Sequence, residues 1–224
     1  MQLLEFQLEP LQFGGFPKMA RLTRRAVVTE KIDGSNAQIY IVPKPILVSD
    51  ISGVTAVTDT HLLYAGSRNR WITPRDDNFG FAAWVHQNAE ELQQLGAGRH
   101  FGEWWGSGIQ RGYGYKKGER FFSLFNAQRW VPAHMPLGHI PTLDPRAEPV
   151  LQQHAPACCR VVPVLYDGTF CTQVVEACMG ALRAGGSIAE PGFMNPEGLV
   201  VYHVAAGVGF KKTLNGDDAK GGAA

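Results

Sequence analysis

The chain has 224 residues, 45% hydrophobic and 18% charged, and its 21 Lys plus Arg against 20 Asp plus Glu leave a net charge of +1. A chain of this length removes about 70% of its unfolded surface from water, so it needs no disulfide or metal staple, and its near-neutral charge excludes a histone-like arm or an acidic tail and confines any nucleic-acid site to a local patch. Met1-Gln2-Leu3-Leu4-Glu5-Phe6 has no basic stretch leading into an apolar one and no run of about 18 apolar residues follows, so a soluble cytoplasmic protein with no membrane partner is expected.

Alternating apolar and β-branched runs predict strands over Ala26 to Lys31, Ala37 to Val42, Val54 to Tyr64, Arg99 to Trp105, Phe121 to Phe125, Val161 to Tyr166 and Leu199 to Val204. Between the third and fourth, Phe81, Trp84, Val85, Leu92 and Leu95 recur at helical spacing, predicting a helix over Asp77 to Leu95 with Asp76-Asp77 at its start. Val174, Val175, Cys178, Ala181 and Leu182 predict a second helix over Thr172 to Ala184, with Thr172 as N-cap and Gly185-Gly186 as stop. Pro132, Pro136, Pro141, Pro145, Pro149 and Pro156 make the stretch from Trp130 to Pro163 a long connection. Strands broken by two helices predict a mainly antiparallel α+β fold, one domain over 1–214 and a loose tail over 215–224.

Glu30-Lys31-Ile32-Asp33-Gly34-Ser35-Asn36 falls where one strand ends, a Gly-permitted turn occurs and another strand begins. A lysine there can be a nucleophile or simply an exposed residue beside an Asp-Gly turn. Five further segments follow in order: Ser67-Arg68, Phe101-Gly102-Glu103-Trp104-Trp105-Gly106, Phe121 to Asn126, Glu197-Gly198-Leu199-Val200-Val201, and Phe210-Lys211-Lys212. Together they resemble the motif series of the covalent nucleotidyltransferase superfamily, and within it the ATP-dependent RNA ligases of the nick-sealing, double-strand type, from about Thr29 to Leu214.

The resemblance implies an antiparallel-sheet, ATP-grasp-like nucleotidyltransferase core with ATP held between sheets, Mg2+ or Mn2+ beside it, and nucleic-acid ends or nicks, RNA favoured, as partner. It implies Lys31 as nucleophile, Glu103 on the ribose hydroxyls, Phe125 on the adenine and Arg68 over ribose or phosphate. Glu197 would stand near the α-phosphate and its hydrated metal, and Lys211 on the phosphates with Lys212 as fallback. Glu30, Asp33, Gly34 and Asn36 complete the nucleotide-binding set, Asn36 near the 5′-phosphate or metal. The residue types suit this chemistry, since a carboxylate accepts from vicinal hydroxyls, an aromatic face stacks on a base, and a guanidinium forks onto phosphate. A free lysine of pKa about 10.4 offers its neutral amine at pH 7 only at about 4.6 kcal/mol, so cationic neighbours such as Lys211, Lys212 or Arg68 and partial burial are expected to help.

Three departures from the pattern stand out. Asn126 follows the aromatic where such ligases usually carry aspartate, and Lys211-Lys212-Thr213 replaces Lys-x-Lys, so only one lysine can face the phosphate. After Leu214 only a tail follows, where many relatives continue into a further domain; a stand-alone core that self-adenylylates well and seals poorly is expected, with an accessory protein or domain as a possible partner. Rival readings are a DNA nick ligase, a GTP-using capping transferase and a non-catalytic end-binding module.

Weaker signals remain. Gln110 to Arg120 interleaves Tyr113 and Tyr115 with cations, either a strip for a nucleic-acid backbone or a solvated loop, and Arg21, Arg24 and Arg25 form a second candidate phosphate contact. Cys158, Cys159, Cys171 and Cys178 lack two Cys-x-x-Cys pairs and read as reduced thiols rather than zinc ligands. His203 reads as a strand histidine with satisfied hydrogen bonds.

Overall fold

The computed structural model describes residues 12–16, 18–45, 52–130 and 154–216. In chain order these form β1 (Arg25–Lys31), β2 (Ser35–Pro43), β3 (Ala56–Val57), β4 (His61–Ser67), β5 (Trp71–Ile72), α1 (Phe81–Gln87), α2 (Ala89–Leu92), β6 (Gly98–Gly106), β7 (Arg120–Leu124), α3 (Ala127–Trp130), β8 (Cys159–Val161), β9 (Val164–Thr169), α4 (Thr172–Gly185), β10 (Gly198–His203) and β11 (Val208–Thr213). Most of the proline-rich connection, 131–153, and most of the expected tail, 217–224, lie outside the described residues.

The strands build two sheets, the α+β architecture expected. The first has the order β11-β10-β1-β9, the second β3-β4-β2-β6-β7-β8 with β5 paired to β4. Among the described residues all strand pairings are antiparallel except β7 with β8. Each sheet buries one face under helices. Ala26, Val28, Leu199 and Val201 of the first meet Val174, Cys178, Met179 and Leu182 of α4. Ile39, Ile41, Leu63, Trp104 and Phe122 of the second meet Phe81, Val85 and Leu92 of α1 and α2. Because strand side chains alternate, the opposite faces stay free of these cores.

Four expected elements differ. The strand over Val54 to Tyr64 is a hairpin: Thr58 Oγ1 accepts from the His61 amide at 3.0 Å and turns the chain between β3 and β4. The strand over Val161 to Tyr166 is a crossing point. β8 ends at Val161 in the second sheet, Val162 and Pro163 turn, and β9 opens at Val164 in the first; Pro163 has no N–H to continue a ladder. The helix over Asp77 to Leu95 breaks at Asn88, whose Nδ2 donates to Trp84 O at 2.8 Å and competes with the backbone. Its start is Phe81, and Asp77 caps it by accepting from the Ala82 and Ala83 amides at 2.8 and 3.0 Å. In α4 the extended capping residue is Cys171, so Thr172 is already helical, whereas Gly186 at φ 80 ends the helix as expected.

Candidate active site

Strand alternation decides what the lysine segment presents. On β1, Ala26, Val28 and Glu30 share the face toward α4, while Thr29 and Lys31 share the other. Lys31 Nζ stands 2.5 Å from Glu197 Oε2, with side chains 23% and 6% exposed. Glu30 therefore faces away from Lys31, which corrects its expected binding role: it is 1% exposed and accepts from Ser187 Oγ at 2.5 Å and from the Ile188 and Ala189 amides at 2.8 Å each. It ties the loop after α4 to β1.

Ile32, Asp33 and Gly34 carry the chain from the first sheet to the second. Asp33 donates its amide to Tyr113 Oη at 2.8 Å and accepts at Oδ2 from Arg111 Nε at 2.9 Å. Gly34 donates its amide to Glu103 Oε1 at 3.0 Å, and a Cβ there would lie 2.5 Å from the Trp104 carbonyl oxygen, so the crossing admits only glycine. Asn36 Nδ2 donates to Glu103 Oε2 at 3.2 Å, directly across the β2–β6 register. Glu103 is 7% exposed. Burial pushes its pKa up to about 7; the Lys31 charge and the Gly34 amide oppose the rise, while Glu197 and Asp33 add to it.

Register places the remaining candidates. Lys211 pairs with Val200, which pairs with Thr29, so Lys211 lies on the Lys31 face of the first sheet. Lys212 pairs with Leu199 on the opposite face and bonds Glu176 of α4, which removes it as the fallback phosphate ligand. Arg68 is exposed one residue beyond the Ser67–Ala37 pair, beside Asn36. Phe125, 42% exposed, follows β7 and donates its amide to the Phe101 carbonyl at 2.9 Å, with Asn126 exposed beside it. Among the described residues no cluster of three His, Cys, Asp or Glu forms a metal cage. A magnesium-type ion is ordinarily held by one or two carboxylates plus substrate phosphates, and Glu197 beside Lys31 would suit such an ion.

Tyr113 and Tyr115 of the Gln110 to Arg120 stretch, read either as a nucleic-acid strip or as a solvated loop, pack into the protein instead. Tyr113 is 2% exposed, its ring 4.8 Å from Trp105 and 4.5 Å from Phe193, and Tyr115 packs on Trp105 and Phe121 and bonds Glu190. Arg111, a cation of the same stretch, clamps the site. Its Nη1 donates to Asn195 O and Oδ1 at 2.8 Å each and to Pro196 O at 3.3 Å, while Nε holds Asp33. Sequence reading missed this clamp. Its one trace was the density of glycines at 106, 108, 112 and 114, all at positive φ. Arg25 pairs with Asp167 at 2.7 Å, and Arg24 is exposed. His203 is satisfied, bonded to Leu22 O and the Ala206 amide. Cys158 and Cys159 sulfurs lie 3.9 Å apart, away from Cys171 and Cys178 at α4.

A family model described as RNA ligase matches residues 24–213. No curated protein matches. Among solved structures, a Naegleria gruberi RNA ligase mutant in its apo form is 20% identical with a TM-score of 0.49, covering 86% of this chain and 50% of that one. A second mutant of it, with AMP and Mn, is 20% identical with a TM-score of 0.49, covering 87% and 51%. A third, with ATP and Mn, is 18% identical with a TM-score of 0.46, covering 86% and 50%. The chain thus spans about half the length of these solved chains.

Proposed function

Since the chain belongs to the RNA ligase family, we propose that it activates and joins RNA ends with ATP through a lysyl-AMP intermediate on Lys31. The observation that carries this reading is the convergence of Lys31, Glu197 and Glu103 where the two sheets meet, with Lys211 on the Lys31 face. In the first step the Lys31 amine attacks the α-phosphorus of ATP, a nitrogen–phosphorus bond forms and pyrophosphate leaves. In the second a 5′-phosphate oxygen displaces Lys31 and takes the AMP. In the third a 3′-hydroxyl attacks that phosphate and AMP departs as the phosphodiester forms.

Each residue has a role in this scheme. Glu197 accepts a hydrogen bond from Lys31 Nζ before ATP arrives and holds it at the cleft. Glu103 receives the ribose hydroxyls, Phe125 stacks on the adenine, and Lys211 and Arg68 bind phosphate oxygens. Asn36 holds one Glu103 oxygen and faces the incoming 5′-phosphate. Asp33 and Gly34 fix the crossing loop. A divalent ion bound at Glu197 would neutralise charge on the phosphates.

Incubation with α-labelled ATP or GTP and magnesium or manganese, followed by denaturation, tests the reading. Label from ATP that survives denaturation and vanishes in Lys31→Ala is expected, and a chase with RNA carrying a 5′-phosphate should move that label to RNA. Retention of label in Lys31→Ala, or no label with either nucleotide and either metal, would overturn it.

A further inference from the structure

The face of the second sheet that carries Asn36 and Glu103 continues well past them. Stepping two residues at a time along β2 and β6, the paired positions are Asn36 with Glu103, Gln38 with Phe101, and Tyr40 with Arg99. Tyr64 pairs with Tyr40 from β4, and Trp71 of β5 pairs with Gly66 beside it. This face thus ends in a platform of three rings, with Tyr40–Trp71 centroids at 6.2 Å and Tyr64–Trp71 at 5.8 Å. The Arg99 guanidinium lies 4.4 Å over the Tyr40 ring and 5.1 Å from Trp71.

Ordinary burial does not account for these residues. Trp71 is 42% exposed and Tyr40 and Tyr64 are half-buried, with Phe101 next to them on the same face 51% exposed, whereas rings on the helix-covered face of the same sheet, such as Phe122, are fully buried. Arg99 spends one donor on Gln38 Oε1 at 3.0 Å and, being exposed, turns its remaining N–H groups to solvent. Glu103 is the one carboxylate that β2, β4 and β6 place on this face, so toward the platform the surface is aromatic and cationic.

We propose that this platform of Tyr40, Tyr64, Trp71 and Arg99 binds single-stranded RNA leading to the end being joined, bases stacked on the rings and a backbone phosphate on Arg99. The inference rests on the RNA-joining reading above. Three features select this occupant. An exposed indole flanked by two half-buried phenol rings and an exposed guanidinium is what unpaired bases and their phosphates recognise, whereas stacked bases in a duplex present no faces. Positive charge complements the phosphate chain. The platform is also continuous with the Asn36–Glu103 pair, four residues or about 13 Å along the strands.

Fluorescence anisotropy with a dye-labelled single-stranded RNA, run without ATP, tests this beside the ATP-labelling assay. Trp71→Ala and Tyr40→Ala should each weaken RNA binding by about fivefold or more, with Trp71→Phe restoring most of it. Arg99→Ala should weaken binding and lower the slope of log affinity against log salt by about 0.7. Labelling of Lys31 by ATP should stay within about twofold in every variant, showing that the fold and nucleotide pocket are intact. Unchanged RNA affinity in all three alanine variants overturns the proposal. So does tighter binding of duplex than of single strand, or a dimer in sedimentation that Trp71→Ala turns into monomer. If the unaltered protein takes no label from ATP yet binds RNA through Trp71, the ligase reading fails and the platform stands.

Discussion

At the residue scale, Glu103 shows how a site group works against its own fold. It is buried beside Glu197 and Asp33, and its pKa rises to about 7 from 4.5. Between those values the unfolded chain ionises while the folded chain keeps its proton, so stability falls as pH rises through that window and levels off above it. A shift of about 2.5 units corresponds to about 3 kcal/mol. Glu103→Gln lacks this burden, so its stability advantage should be near zero at pH 4 and grow to about 3 kcal/mol by pH 8. Denaturant titrations of both proteins across that range check it, and a constant difference would refute it. Ribose hydroxyls, which the proposed reading sets on Glu103, bond best to the ionised carboxylate, so on that reading ATP labelling of the unaltered protein should rise as pH passes through about 7, while Glu103→Gln should label poorly at every pH.

Residue identity was the most legible part of the sequence. Lys31, Glu103 and Glu197 stand out as ordered motifs and converge in space. What identity could not give was facing. Glu30 is adjacent to Lys31, and the period of two alone sends it to the opposite side of β1. Nor could motifs reveal Arg111, whose partners lie 78 and 84 residues away and depend on two sheets having met.

At the element scale, register settles what spacing left open. Adjacent lysines on β11 face opposite ways, with Lys211 on the Lys31 face and Lys212 bonded to Glu176. Lys211→Ala should therefore slow lysine adenylylation by about a hundredfold, the loss of one charge-assisted phosphate contact in the transition state. Lys212→Ala should leave the rate within about threefold and cost no more than about 1 kcal/mol, because its ion pair is largely exposed. Single-turnover labelling measures both, and equal losses would mean that β11 is registered otherwise. Strand positions were readable because alternation is a local property. The crossing at Val162 and Pro163 was not, because an apolar run reads alike whether it stays in one sheet or passes between two. The turn between Gly106 and Arg120 hid for a related reason. Gln110 at φ 46 and Tyr113 at φ 52 are non-glycine residues in the left-handed region, which no propensity favours. That conformation costs about 1 to 3 kcal/mol for each residue and persists because the surrounding contacts over-determine it.

At the scale of the whole molecule, the two sheets have separate cores that share no residue. The site lies where they meet, so its geometry depends on the links between them. Those links include the Ile32–Gly34 crossing, the Val162–Pro163 crossing, the Tyr115–Glu190 bond and Tyr113–Phe193 contact, and Arg111, which joins Asp33 to the segment leading into Glu197. Arg111 holds the carboxylate at its distance from Lys31 without touching either residue's reacting atoms, and its loss should show in rate more than in binding. Arg111→Ala is expected to slow adenylylation at saturating ATP by about ten- to a hundredfold, the worth of a charged hydrogen bond or two, with the KM for ATP changed much less. Added guanidinium at low concentration should recover part of the rate, which a merely unfolded fraction would not show. A nucleotide seated against both sheets adds a further link. An α,β-methylene analogue of ATP, which cannot release pyrophosphate, should raise the stability of the unaltered protein by about 2.7 kcal/mol at a hundredfold excess over its Kd. For a chain of this size that is about 6 °C in Tm. Arg111→Ala should start from a lower Tm and show a similar rise, because the analogue's contacts survive while the alignment of Lys31 and Glu197 does not. A KM that climbs with the rate unchanged would instead make Arg111 a direct ATP ligand.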